Sequence, residues 1–131
     1  MAQKITIDWN NGFHGVLKAP NGSITIGGET GQMLPYNLLF GALGSCFYAT
    51  FIEIVEKKRL TLAGATMSIA GTHREEVPTT LNQVTIDLVI HTTENQEKYL
   101  RSVELAQKYC SIYETISKVA TITVNVSFKS Q

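Results

Sequence analysis

The sequence has 131 residues, with 11 lysines and arginines against 11 aspartates and glutamates, so its formal net charge is zero. Without net positive charge there is no long-range field to hold a phosphate backbone or an anionic bilayer, which disfavours nucleic-acid and membrane binding. A hydrophobic fraction of 44% is sufficient for one core, and the length favours a single domain over residues 1–131.

Three short strands are predicted before residue 30. Ile5, Ile7 and Trp9 alternate with polar residues, which is the period of a half-buried strand. The start of the sequence lacks the apolar core of a signal peptide, so we expect a cytoplasmic protein with reduced thiols. Turn residues close this strand and two further ones, at about 14–18 and 23–27, and predict an antiparallel meander.

A long helix is predicted from Pro35 to about Lys58. Apolar residues recur there at helical spacing, and proline suits a first helical turn, where its missing N–H is not needed. No charged residue lies between Glu29 and Glu53, but glycine, proline and polar residues leave the apolar run too short to span a bilayer. We therefore expect a buried central helix. One small sheet covers one side of such a helix, so we expect a second chain to cover the rest in an intertwined homodimer.

The second half of the sequence adds strands and helices. Strand-like runs at about 66–75 and 84–92 predict a hairpin. A helix at about 94–109 and a short helical piece at about 112–119 lead to a final strand at about 122–128. The order βββ-α-ββ-α-β lacks strict βαβ alternation, so it predicts an α+β fold with mostly antiparallel sheets packed around the central helix.

The two cysteines, Cys46 and Cys110, are the candidate chemical site. Either one taken alone is also explained as a small buried hydrophobe, and that interpretation stays open. Their separation is too wide for a CxxC motif, and a zinc site would need histidines at helical spacing, which are absent. We therefore expect neither a metal nor a cofactor.

Two segments around the cysteines carry a family resemblance. One is the run LPYNLLFGALGSCFYAT from Leu34 to Thr50, and the other is AQKYCS from Ala106 to Ser111. Both resemble the cysteine segments of the OsmC and organic hydroperoxide resistance family. The order of elements and the distance between the cysteines also agree, so the resemblance implies an OsmC-like fold for almost the whole chain.

The resemblance implies a thiol-dependent peroxidase acting on organic hydroperoxides. Cys46 would be the peroxidatic thiol, and Cys110 would resolve its sulfenic acid as a disulfide that an external thiol reduces. In active family members an arginine stabilises the thiolate, and a glutamate at the start of the helix holds that arginine. The alternative is a non-catalytic OsmC-like dimer that binds a small hydrophobic ligand in the same pocket.

This sequence departs from the family pattern at both helper positions. Tyr36 occupies the glutamate position, and the first arginine of the chain is Arg59. The place of the arginine in the hydroperoxide branch is taken roughly by Phe13 and His14. A tyrosine such as Tyr36 either packs in the pocket or donates its hydroxyl to the substrate or the thiolate.

Other residues can replace the missing helpers. His14 or Lys18 would supply a cation, and Glu29 or Glu53 a carboxylate, although each is also explained as a strand residue or a solvated charge. Without such a cation, we expect burial to leave the pKa of Cys46 at or above its ordinary value.

Overall fold

A computed structural model describes residues 4–130 of the chain. Within them the predicted order βββ-α-ββ-α-β is confirmed, and the short helical piece forms a third helix. The elements are β1 Thr6–Trp9, β2 Gly15–Ala19, β3 Gly22–Ile26, α1 Pro35–Lys57, β4 Ala65–His73, β5 Leu81–Ile90, α2 Gln96–Tyr109, α3 Ser111–Ser117 and β6 Thr121–Phe128.

Contacts divide the chain into two compact units, residues 1–41 (unit 1) and residues 42–131 (unit 2), with the boundary inside α1. The prediction of a single domain therefore stays a prediction. Unit 1 contains the predicted meander, an antiparallel sheet in the order β1-β2-β3. Trp9 lies opposite Gly15 in this sheet. A Cβ at Gly15 would lie 2.7 Å from the Trp9 ring, so the strand pair needs glycine there.

Helix α1 begins at Pro35, as the sequence predicts. The residue before it, Leu34, donates its N–H to the Asn37 side-chain oxygen at 2.9 Å. This bond satisfies one of the backbone donors that a helix start leaves without an intrahelical partner.

Unit 2 is built on a second three-stranded sheet, in the order β4-β5-β6. β4 and β5 form the predicted antiparallel hairpin, whereas β6 pairs with β5 in parallel. The parallel pairing is possible because α2 and α3 carry the chain back across the sheet between the two strands. The alternating apolar residues of β5 are buried, and they are Val84, Ile86, Leu88 and Ile90.

One face of α1 enters the core of unit 2. Its buried residues are spaced by four, as expected for one helical face, and they are Leu43, Phe47, Phe51 and Val55. Gly44 allows close packing, because a Cβ there would lie 3.0 Å from Ile69 of β4.

The rest of α1 is less buried than the sequence led us to expect. The expectation that its apolar run is too short to span a bilayer is wrong by length and composition, since the 23-residue helix has an apolar window with a mean hydropathy of 1.8, and 22% of that window is buried inside the chain. A helix with one face in a protein core passes the same test. Its remaining apolar faces are half-buried or exposed in a single chain.

Candidate active site

Helix α1 carries Cys46 near its middle, directly before the buried Phe47. This position puts the Cys46 thiol at the border of the buried face, and the residue is half-buried. Thr50, one turn later, donates its hydroxyl to the Cys46 carbonyl at 3.0 Å. The thiol is therefore held by the core on one side and accessible on the other.

Cys110 joins α2 to α3 in an extended backbone conformation. Its N–H donates to the Ala106 carbonyl at 2.9 Å, which closes α2. Its sulfur accepts the N–H of Tyr113 at 3.5 Å, which caps the start of α3. The residue is 1% exposed. Because one residue ends a helix and caps the next, the direction of the Cys110 side chain is fixed.

The two sulfur atoms lie 3.2 Å apart, and the Cys110 thiol donates toward Cys46. At this separation the two cysteines are not joined by a disulfide bond. A disulfide bond is about 2.05 Å long, so the sulfurs would have to approach by roughly a further 1.2 Å to form one. The hydroxyl of Ser111 lies 3.9 Å from the Cys46 sulfur. The fold thus brings two thiols and a hydroxyl into contact from distant parts of the sequence.

The pKa of the Cys46 thiol is lowered, which corrects the expectation of a raised or ordinary value. Burial is the largest single influence and raises the pKa, but four hydrogen bonds together outweigh it. They come from the Ile112 backbone, the Cys110 thiol, the Ser111 hydroxyl and the Ser111 backbone. The expectation failed because it weighed burial against a cation and left out the backbone, thiol and serine donors, whose hydrogen bonds also favour a thiolate.

The pKa of Cys110 is shifted the other way. Burial raises it most, and the neighbouring Cys46 raises it further, while hydrogen bonds from the Tyr113 and Ile112 backbone partly oppose the rise. The two shifts make Cys46 the member of the pair that loses its proton first, with Cys110 as the hydrogen-bond donor.

A family model, that of OsmC-like proteins, matches residues 27–125, a range that includes both cysteines. The chain belongs to the OsmC-like protein family. A comparison with curated proteins found no significant match.

Solved structures share this fold over nearly the whole OsmC-like chain. A hypothetical protein from Aquifex aeolicus VF5 is 23% identical, with a TM-score of 0.87, and the match covers 100% of this chain and 98% of that one. An OsmC-like protein from Mycoplasma pneumoniae is 18% identical, with a TM-score of 0.87 and 98% coverage of both chains. An organic hydroperoxide resistance protein OsmC from Legionella pneumophila is 18% identical, with a TM-score of 0.72 and coverage of 95% and 96%. Because all three sequences are less than 25% identical to this one, the structural similarity shows a shared fold and nothing about activity.

Both cations predicted to activate Cys46 lie in unit 1 of this OsmC-like chain. Lys18 forms an exposed salt bridge with Asp8, with 2.9 Å between nitrogen and oxygen. His14 lies with its Nδ1 3.2 Å from the side-chain nitrogen of Gln32. Because these residues and the cysteines belong to different units, the role of either cation at Cys46 stays a prediction.

Glu29 and Tyr36, the other predicted pocket residues of unit 1, lie before and at the start of α1. The backbone N–H of Glu29 donates to the Gln32 side chain at 3.0 Å. Tyr36 lies in the first turn, with its ring centroid 5.9 Å from that of Phe40. Their part in the site also stays a prediction.

Glu53 belongs to unit 2 and lies two turns beyond Cys46 in α1. Its carboxylate pairs with Lys57 at 3.3 Å, and both side chains are largely exposed. Solvent already surrounds this pair, which favours the interpretation of Glu53 as a solvated charge.

Tyr113 of α3 packs against α1 next to the cysteines. The Tyr113 ring stacks on Phe47 with 5.8 Å between centroids. Its hydroxyl accepts a hydrogen bond from Gln107 at 3.1 Å. Tyr113 therefore ties α3 to α1 next to the two sulfurs.

Unit 2 contains several cavities. One, of about 390 Å³, is lined by Thr50, Glu53, Ile54, Lys57, Leu105 and Tyr109, of which Tyr109 directly precedes Cys110 and Thr50 lies one helical turn from Cys46. Another, of about 570 Å³, is lined by polar residues including His91 and Glu94. Among residues 4–130, no group of three or more histidines, cysteines, aspartates or glutamates is placed to hold a metal ion.

Sequence reasoning missed Ser111. The signal was a serine directly after the second cysteine, at the start of a short helix that we predicted to begin one residue later. A residue at the first turn of a helix directs its backbone N–H out of the helix, toward any acceptor in front of it.

Proposed function

We propose that this protein is a thiol-dependent peroxidase that reduces organic hydroperoxides, with Cys46 as the peroxidatic and Cys110 as the resolving cysteine. The observation that carries the proposal is the 3.2 Å contact between a half-buried sulfur whose pKa is lowered and a buried sulfur whose pKa is raised. Membership of the OsmC-like family and the name of the Legionella relative, an organic hydroperoxide resistance protein, support it.

The pair has the parts that such a reaction needs. The Cys46 thiolate attacks the outer oxygen of the hydroperoxide, the O–O bond breaks, and the alkoxide leaves with a proton from solvent as an alcohol. Cys46 is then a sulfenic acid. The Cys110 sulfur attacks the Cys46 sulfur, the S–O bond breaks, and water leaves with the Cys110 proton. Two equivalents of an external thiol, or one dithiol, reduce the resulting disulfide.

The proposal includes a homodimer in the cytoplasm. A long apolar helix with one face in its own core supports a second chain as the cover for the others. The proposed cycle begins from two reduced thiols, and the cytoplasm is the compartment that keeps thiols reduced. A net charge of zero supports neither nucleic-acid nor membrane binding. The chemistry requires no metal or other cofactor, since the two sulfurs and the external thiol balance it.

The second candidate is a non-catalytic dimer that binds a small hydrophobic ligand. The specific observation in its favour is Tyr36 at the position where the resembled family has its glutamate, together with the absence of any arginine before Arg59.

Peroxide turnover by the Cys46→Ser variant tests the two candidates. Consumption of cumene hydroperoxide with excess dithiol should fall by about three orders of magnitude or to background, because Cys46 is the only nucleophile proposed for the attack. Ser45→Ala is the matched control, since the Ser45 hydroxyl bonds within its own helix to the Ala42 carbonyl at 3.2 Å. Equal slow consumption by the unmodified chain and by Cys46→Ser would contradict the peroxidase and favour the binding protein.

A further inference from the structure

Ser111, which opens α3, has its hydroxyl oxygen 3.9 Å from the Cys46 sulfur. We propose that Ser111 activates Cys46 by donating this hydroxyl to the thiolate, in the role that an arginine fills in the resembled family. The inference rests on the proposed function, since it names the group that prepares its nucleophile.

The position of Ser111 is fixed by the helix that it begins. Its carbonyl accepts the Thr115 hydroxyl at 2.9 Å, and the preceding carbonyl of Cys110 accepts the N–H of Glu114 at 3.0 Å. The Ser111 side chain itself is exposed. A serine hydroxyl rotates freely and has one donor and two acceptor positions, so it can donate to the thiolate and accept from water.

The serine and threonine hydroxyls closest to Cys46 along α1 bond to backbone carbonyls and not to its sulfur. Ser45 donates to the Ala42 carbonyl at 3.2 Å, and Thr50 donates to the backbone carbonyl of Cys46 at 3.0 Å. Ser111 is the hydroxyl whose contact is with the reacting atom. It belongs to a different helix, so the contact exists only when α3 is docked beside α1.

A neutral donor suits this position physically. A hydrogen bond to the charged form of an acid favours that form, and the Ser111 hydroxyl is among the groups that lower the pKa of Cys46. A hydroxyl brings no second charge into the site, so it avoids the desolvation cost of a buried cation.

The test is the pH profile of Cys46 alkylation by iodoacetamide, followed by mass spectrometry of the peptide that contains Cys46. Ser111→Ala should move the midpoint to higher pH and lower the rate at pH 7 by roughly threefold, the effect of one modest hydrogen bond. Ser111→Thr keeps a hydroxyl and should restore the original profile.

Ser117→Ala is the matched control, because it removes another exposed hydroxyl from α3, one that bonds to the Glu114 carbonyl at 2.7 Å. Its alkylation profile should equal that of the unmodified chain. If Ser111→Ala matches Ser117→Ala, the activating role of Ser111 is wrong.

Peroxide consumption separates this inference from the proposed function. A shifted alkylation profile in Ser111→Ala, in a chain that does not consume cumene hydroperoxide, would support Ser111 and overturn the peroxidase. Consumption that depends on Cys46, together with an unshifted profile, would overturn the role of Ser111 and leave the peroxidase standing.

Discussion

Cys46 and Cys110 differ in exposure, and the difference matches their proposed roles. The half-buried Cys46 is accessible to a small molecule, whereas Cys110 is 1% exposed. A reactive cysteine needs both access and thiolate character. A resolving cysteine needs no access to solvent, since its target sulfur lies next to it, and it gives up its proton when it attacks the sulfenic acid.

The pH and salt dependence of Cys46 follows from the kind of donors around it. A lowered pKa means that the thiolate fraction, and with it the alkylation rate, rises through a lower pH range than for an ordinary thiol and then levels off. Neutral donors in contact are screened less by salt than a pair of exposed charges. The midpoint measured with iodoacetamide should therefore change little between about 0.05 M and about 1 M salt. A midpoint that rises strongly with salt would indicate a cation such as Lys18 or His14 instead.

Cys110 should influence the first step as well as the second, because its thiol donates toward the Cys46 sulfur at 3.2 Å. Cys110→Ala removes the donor and should slow the first turnover roughly threefold to tenfold. Cys110→Ser keeps a hydroxyl donor and should slow it less. Both variants should accumulate sulfenic acid on Cys46 and then over-oxidise, since neither can form the disulfide. Single-turnover peroxide consumption with a sulfenic-acid probe measures both effects, and equal first-turnover rates in Cys110→Ala and the unmodified chain would contradict the donor role.

At the scale of elements, the periodic parts of the chain were predictable from sequence. The start of α1 at Pro35 and the alternating buried face of β5 followed from local patterns, because one residue type or one period decides each of them. The parallel pairing of β5 with β6 did not, since register between distant strands depends on how α2 and α3 carry the chain across.

The geometry of the site lay beyond sequence reasoning for the same reason. Cys46 and Cys110 are 64 residues apart, and no local pattern states that their sulfurs touch. The resemblance to a family named both cysteines, but it directed attention to a missing arginine. The contact of Ser111 with Cys46 depends on the packing of α3 against α1, where Tyr113 stacks on Phe47. The sequence alone does not contain that packing.

At the scale of the whole molecule, apolar surface is concentrated in unit 1. Among the described residues with exposed large apolar side chains, seven of this unit stand out, and they are Ile5, Trp9, Phe13, Ile24, Met33, Leu34 and Tyr36. In soluble proteins, large exposed apolar surfaces mark sites of association. Combined with the partly covered helix α1, this surface supports association with a second copy of the chain.

Sedimentation at micromolar concentration should therefore give about twice the chain mass. Phe13, 47% exposed and stacked on Trp9 with 5.7 Å between ring centroids, is a suitable site to perturb the association. Phe13→Asp places a charge on the apolar surface and should shift the protein toward the monomer, because burying an unpaired carboxylate is costly. Val77→Asp is the matched control, since Val77 is 90% exposed in the loop between β4 and β5, and it should remain dimeric. A monomeric unmodified chain would contradict the homodimer. If both variants dissociate, the exposed apolar surface of unit 1 is not what holds the two chains together.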